Sequence, residues 1–167
     1  MSFTRLPLAP TGAVTELELV RPRMTPLDLA KAPPRSPQEE LRGLCMLPRM
    51  IDIARAKLPG GNVGDYQIGR DKTLSAAVLD TFGISAGQFV NIVRDARTDE
   101  DVAEHLWVAG NARPKALTAR LRRVTVADIA ADLRPDFERL YGTNHPADQF
   151  VFDVLEADDA QAFPPPP

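Results

Sequence analysis

Arginine and aspartate residues with regular spacing are concentrated in residues 33–66, PPRSPQEELRGLCMLPRMIDIARAKLPGGNVGDY. Arg49, Asp52 and Arg55 are three residues apart, so on a helix the aspartate can pair with both arginines. The favoured interpretation of this spacing is a ladder of solvated ion pairs. The alternative is an anion site, because guanidinium groups present paired donors to carboxylates and phosphates, and Arg35 on the preceding turn can complete the set.

A glycine-rich loop, PGGNVGDY, follows this helix at residues 59–66. Its glycines allow the backbone to approach a ligand closely, although the GxxxxGK[ST] pattern of a phosphate loop is absent from the sequence. Together the helix and the loop predict a ligand-binding site made of Arg35, Arg49, Asp52, Arg55, Asp65 and Tyr66.

Two functions fit these residues. The preferred hypothesis is a non-enzymatic module that binds a small anionic ligand or a protein partner. The alternative is a small enzyme acting on a carboxylate- or phosphate-bearing metabolite. In that case Arg49 and Arg55 would hold the substrate, and Asp52 or Asp65 would move a proton.

Other reactive side chains are sparse, which is why the binding module is preferred. The single cysteine, Cys45, lies between Leu44 and Met46 and is interpreted as a buried, inert thiol. His105 and His145 are far apart and have no carboxylate or thiol at metal-ligand spacing. We therefore predict no catalytic residue, no metal site and no cofactor.

Composition and charge narrow the class of protein. The 167 residues are 44% hydrophobic and 26% charged with a net charge of −3, which is typical of a globular protein and argues against nucleic-acid or membrane-surface binding. The basic residues of segment 113–123 are distributed around a predicted helix and do not form one DNA-reading face. No apolar run approaches the length of a membrane span, and one cysteine makes the cytoplasm the expected location.

Capping signals predict an all-α fold, a single compact multi-helix domain of about seven or eight short helices. The predicted helices cover residues 37–45, 48–58, 72–82, 86–96, 99–109, 114–124, 126–141 with a break near Pro135, and 147–157. In the second of these, Leu47, Met50, Ile51, Ala54 and Leu58 form the expected core stripe. The domain is predicted to span residues 27–158, between an extended N-terminal arm at 1–26 and a disordered, proline-rich tail at 159–167.

The arm contains one alternating apolar and polar run at residues 15–20, TELELV. Such alternation is typical of a strand, but the sequence offers no clear partner strand, so a strand and an extended arm both stay open. Because Leu17 and Leu19 need an apolar surface, exchange of the arm between two copies is a route to a homodimer.

Residues 28–66, DLAKAPPRSPQEELRGLCMLPRMIDIARAKLPGGNVGDY, resemble a bacterial family of unknown function, number 5069. The shared pattern consists of PPRSP, a Leu-x-Gly, LPRMID with a following ARA, and a late Gly-x-Tyr. Weaker similarity continues through GISAGQF and TDEDVAEHLW, so the resemblance covers residues 27–108. The chain departs from the family pattern at Ile53, where the family has lysine, at Asp65, where it has glutamate, and over residues 67–75. The resemblance implies a helical fold and implies no activity, cofactor or partner.

Overall fold

About half of the described residues lie in helices. The structure, a computed structural model, describes residues 23–109 and 113–165. The described residues form helices α1 Leu47–Ala56, α2 Leu74–Phe82, α3 Ala86–Asp95, α4 Asp99–Ala109, α5 Pro114–Leu121, α6 Arg134–Tyr141 and α7 Val151–Ala162, strands β1 Glu40–Leu41 and β2 Leu44–Cys45, and a 3-10 turn at Val126–Asp128. The mostly helical fold predicted from the sequence is confirmed.

The helix predicted at 37–45 is wrong. The Ser36 hydroxyl accepts the Gln38 N–H in a local turn instead of capping a helix, and β1 and β2 then pair antiparallel. The two residues between the strands, Arg42 and Gly43, both have positive φ (50° and 80°). Such a turn matches the twist of a tight hairpin, and the glycine at its second position makes the turn accessible. A serine followed by proline therefore started a turn here, not a helix.

The last two predicted helices are displaced. The predicted helix at 126–141 is a 3-10 turn followed by α6, with Pro135 in the first turn of α6. The helix predicted at 147–157 begins at Val151 and continues to Ala162. Residues 159–162 therefore belong to α7, and the prediction that the tail begins at 159 is wrong. Residues 1–22, which include most of the predicted arm and the run at 15–20, lie outside the described residues.

Helix α1 is the centre of the core. The predicted stripe of Leu47, Met50, Ile51, Ala54 and Leu58 is buried, as are Phe89 and Val93 of α3, which pack on the same core. The opposite face of α1 is also buried, since Arg49 and Asp52 are only 3% and 5% exposed. A helix covered on all sides needs internal partners for its polar residues, because an unpaired buried charge is strongly unfavourable.

Helices α2 and α3 meet at a sharp corner. Gly83 ends α2 in the left-handed conformation, and Ser85 with Gln88 forms a reciprocal capping box at the start of α3. No single helix of the described chain is long and apolar enough to cross a membrane. The α2–α3 pair has that length and composition only when both helices are counted across their 75° bend.

Candidate functional site

Arg35 and Asp52 form the first of two ion-pair clusters around α1. Nε and Nη2 of Arg35 donate to the Asp52 carboxylate at 2.9 and 2.8 Å, and the Arg35 backbone N–H donates to it at 2.9 Å. Nη1 of Arg35 donates to Asp99, at the start of α4. Burial alone would lower the pKa of Arg35, but the hydrogen bonds to Asp52 and Asp99 raise it overall. The first cluster thus ties the segment before β1 to α1 and α4 through a guanidinium that stays charged.

Arg49, Asp159 and Tyr66 form the second cluster. Nη1 and Nη2 of Arg49 donate to the two oxygens of Asp159 at 2.6 and 3.3 Å. The Tyr66 hydroxyl donates to the same carboxylate at 2.7 Å, and the Arg49 guanidinium carbon lies 5.4 Å from the centre of the Tyr66 ring. Burial and the adjacent carboxylate raise the pKa of Tyr66, so its hydroxyl remains a donor. This cluster holds the glycine-rich loop and α7 against α1.

A cavity of about 580 Å³ lies beside the second cluster. Apolar atoms form most of its exposed wall, contributed by α1, α6, α7 and the segments next to them. The principal apolar side chains are Met46, Ile53, Leu133, Phe137, Tyr141 and Leu155. Its volume is within the range of about 300–1,000 Å³ that small-molecule sites occupy.

Asp158 is a partly buried carboxylate of the cavity that has no ion-pair partner among the described residues. It lines the wall one residue before Asp159, yet within the described chain its side chain makes no hydrogen bond or ion pair. Burial raises the pKa of Asp158 and the charge of Asp159 adds to the increase, while Arg49 opposes it. Burial also raises the pKa of Tyr141, whose hydroxyl has no hydrogen-bond partner among the residues described. Asp158 and Tyr141 therefore offer an acceptor and a hydroxyl to an incoming molecule.

One known family covers most of the described chain. The model of the family described as a domain of unknown function (DUF5069) matches residues 31–160. The chain belongs to this family. No curated protein matches the chain. The DUF5069 region extends well past residue 108, where the resemblance in sequence ends. It includes Arg49 of α1 and Asp159 of α7, which form the ion pair of the second cluster.

The six predicted site residues fall into two groups in the DUF5069 domain. Arg49, Asp65 and Tyr66 line the cavity, whereas Arg35, Asp52 and Arg55 lie around the first cluster. The solvated ladder is wrong, because Arg49 and Asp52 are buried and Arg49 pairs with Asp159 instead of Asp52. Asp52 pairs with Arg35 and lies 3.9 Å from Arg55, which donates to the Thr25 carbonyl oxygen at 2.8 Å.

These pairings affect both sequence-based hypotheses. The guanidinium groups of Arg35 and Arg49 already hold carboxylates, so an anion would have to displace one of them. Exposed Asp65 makes no hydrogen bond to Arg49 or Arg55 in the described part of the chain. Since Asp52 accepts three hydrogen bonds from Arg35, it is an ion-pair partner in this geometry. This geometry favours the binding module over the enzyme, with the cavity as the candidate site.

Sequence reasoning missed the α7 contribution to the site. The last predicted helix ends at residue 157 and leaves Asp158 and Asp159 beyond it, yet Asp159 is 8% exposed and accepts three hydrogen bonds. A signal was present: Asp159 follows Phe152 by seven residues and Leu155 by four, which places it on the same buried helix face. Extending that period past residue 157 would have identified both carboxylates as inward-facing candidates.

Cys45 fits the interpretation of an inert thiol. It is buried in β2, its backbone N–H donates to the Thr118 hydroxyl at 2.9 Å, and burial raises the pKa of its thiol. Across residues 23–109 and 113–165, no three His, Cys, Asp or Glu side chains come together in a way that could hold a metal ion.

Proposed function

We propose that this protein is a non-enzymatic module that binds a small molecule with an apolar body in the cavity between α1, α6 and α7. The observation that carries the proposal is the cavity itself, about 580 Å³ with a mostly apolar wall beside a rigid cluster of paired charges. A well-formed apolar cavity with a small set of polar groups is the usual form of a small-molecule site.

Helix α6 is the wall through which a ligand would enter. None of its residues is buried, although Phe137 and Tyr141 face the cavity. Two ion pairs on its side of the cavity, Arg70 with Asp136 and Lys72 with Asp132, are partly exposed. Exposed pairs contribute at most about 1 kcal/mol each, so these two pairs add little to what holds α6 in place, while the buried clusters fix the other walls.

The test is a binding screen with a variant that narrows the cavity. Small molecules with one apolar ring or chain are screened by thermal shift and protein-observed NMR against the natural protein. Ala162 lines the cavity at the end of α7, so Ala162→Trp should narrow it and weaken binding. Ala160 is exposed on the same helix outside the cavity lining, which makes Ala160→Trp the matched control.

The screen separates three outcomes. Compounds that bind the natural protein and Ala160→Trp equally, but bind Ala162→Trp more weakly, support the proposal. Binding whose affinity is unchanged in Ala162→Trp places the ligand elsewhere on the protein. If no compound binds the natural protein, the proposed function is wrong.

For the anionic ligand expected from the sequence, we propose a second, shallower location. A depression of about 300 Å³ is lined by Arg23, Arg55 and Arg97, with Asp99 as its single carboxylate. Guanidinium groups in this position suit a phosphate or a carboxylate. Inorganic phosphate titrated into the natural protein and into Arg55→Gln tests it: NMR shifts confined to this corner and absent in the variant support the site, and equal responses contradict it.

A further inference from the structure

The charges around the cavity do not balance, and the uncompensated charge is negative. Each cationic side chain of the wall has a carboxylate partner: Arg49 pairs with Asp159, Arg70 with Asp136 and Lys72 with Asp132. Asp158, Asp65 and Asp128 line the same wall and make no ion pair with any described residue. The side chains of Asp65 and Asp128 are exposed and therefore screened by water, so the partly buried Asp158 dominates inside the cavity.

The direction of α7 adds to this negative potential. Ala162 and Phe163 line the cavity at the carboxyl end of the helix, where backbone carbonyl groups carry partial negative charge. The last turn of α7 contains no basic residue that would compensate them. A positively charged group placed near Asp158 would therefore meet both the carboxylate and the helix end.

Aromatic rings complete the surroundings that a cation needs. Tyr66, Phe137, Tyr141 and Phe163 all line the cavity, and Phe137 and Tyr141 stand with ring centres 4.9 Å apart. Ring faces attract ammonium groups, most strongly where water is excluded. The apolar walls suit the uncharged part of the same molecule.

Resting on the proposed function, we propose that the ligand of this cavity is an organic amine, with an ammonium group beside Asp158 and an apolar body against the aromatic rings. The ammonium group would supply the partner that Asp158 lacks, and the Tyr141 hydroxyl can orient towards the ligand. An anionic head group is disfavoured at this position, because it would face Asp158 and the carboxyl end of α7 and would have to separate Arg49 from Asp159.

The experiment uses sets of arylalkyl compounds that share one skeleton and differ only in an amine, an alcohol or a carboxylate. Each set is titrated by calorimetry into the natural protein, Asp158→Asn and the control Asp153→Asn, which changes an exposed carboxylate of the same helix outside the cavity. A charge-assisted hydrogen bond predicts that the amine binds the natural protein about tenfold or more tighter than the alcohol. Asp158→Asn should remove this preference and leave alcohol binding unchanged, and Asp153→Asn should behave as the natural protein.

The outcomes distinguish this inference from the function on which it rests. If amine, alcohol and carboxylate bind equally, or the carboxylate binds best, the cation inference is overturned while the cavity remains a binding site. A preference for amines that persists in Asp158→Asn overturns the role of Asp158. If no member of any set binds, and the broader screen is also blank, the proposed function fails and the inference fails with it.

Discussion

Asp159→Ala is expected to destabilise the protein by about 3–5 kcal/mol, because it leaves a buried guanidinium without its counter-charge. The Asp159 carboxylate accepts two hydrogen bonds from Arg49 and one from Tyr66. Without it, the remaining acceptor for Arg49 among the described residues is the carbonyl oxygen of Arg35, at 3.2 Å. Arg49 is 3% exposed, so water cannot readily replace the lost carboxylate.

Urea unfolding followed by circular dichroism measures this loss directly. In a chain of this size, it corresponds to a fall in the thermal midpoint of roughly 10 °C. Asp159→Asn keeps the shape and one acceptor and should lose less than alanine does. Asp153→Asn, which changes an exposed carboxylate in the first turn of α7, should lower the free energy of unfolding by less than about 1 kcal/mol, the most that the helix dipole supplies there.

A double variant tests the physical reasoning behind the magnitude. Replacing both charges, as in Arg49→Met with Asp159→Leu, removes the unpaired ion and should recover much of the stability that Asp159→Ala loses. A loss below about 1 kcal/mol for Asp159→Ala would refute the argument, since exposed ion pairs contribute no more than that. A double variant whose loss equals the sum of the two single losses would also refute it, because the two residues would then act independently.

Three further predictions concern other parts of the fold. Gly69→Ala should lower the thermal midpoint more than Gly83→Ala, although both positions have positive φ. A Cβ at position 69 would lie 2.7 Å from the Ala86 Cβ, whereas a Cβ at position 83 would meet nothing within 4 Å. Equal losses in the two variants would contradict a steric cause. The buried Cys45 thiol should react with an aromatic disulfide reagent only after denaturation, and rapid labelling of the native protein would contradict this. Two backbone N–H groups hold the pKa of Asp101 below 3.8, so its stabilising effect should be present above that pH and be lost as the pH falls through the folded-state pKa. The stability difference between the natural protein and Asp101→Ala should therefore shrink in acid, and a difference independent of pH would contradict it.

Much of the fold could be predicted because local signals and burial agreed. The Ser85 capping box and Gly83 sit at helix ends where backbone donors and a left-handed residue are needed, and these requirements are local. The helix predicted after Ser36 was wrong because a Ser-Pro sequence fits both a turn and a helix start. The pairing of β1 with β2 decides between the two, and the local pattern of residues does not contain that pairing.

The site was harder to predict because its partners are far apart in sequence. Arg49 and Asp159 are separated by 110 residues, so the local spacing of Arg49, Asp52 and Arg55 suggested pairs within one helix. A helical wheel assigns polar residues to solvent, but α1 is surrounded and its polar residues pair with distant segments. The sequence correctly indicated which residues are unusual in this region. Only the fold shows that most of these residues form ion pairs and hydrogen bonds between distant segments, and that a cavity lies beside them.

Asp158 and Asp159 are neighbours that we expect to have opposite effects on stability, which leads to one more prediction. Burial and the charge of Asp159 raise the pKa of Asp158, so its ionised form is disfavoured in the folded state. The loss of stability caused by ionised Asp158 is absent below the unfolded-state pKa of about 3.9. It develops as the pH rises through the folded-state pKa and persists at neutral pH. Asp158→Asn should therefore be more stable than the natural protein at pH 7, and the difference should vanish in acid. Urea unfolding at both pH values tests this, and a variant that is less stable at pH 7 would show that Asp158 stabilises the fold. A carboxylate that lowers stability where its neighbour raises it is better explained by binding than by folding, since sites that interact with ligands commonly reduce stability.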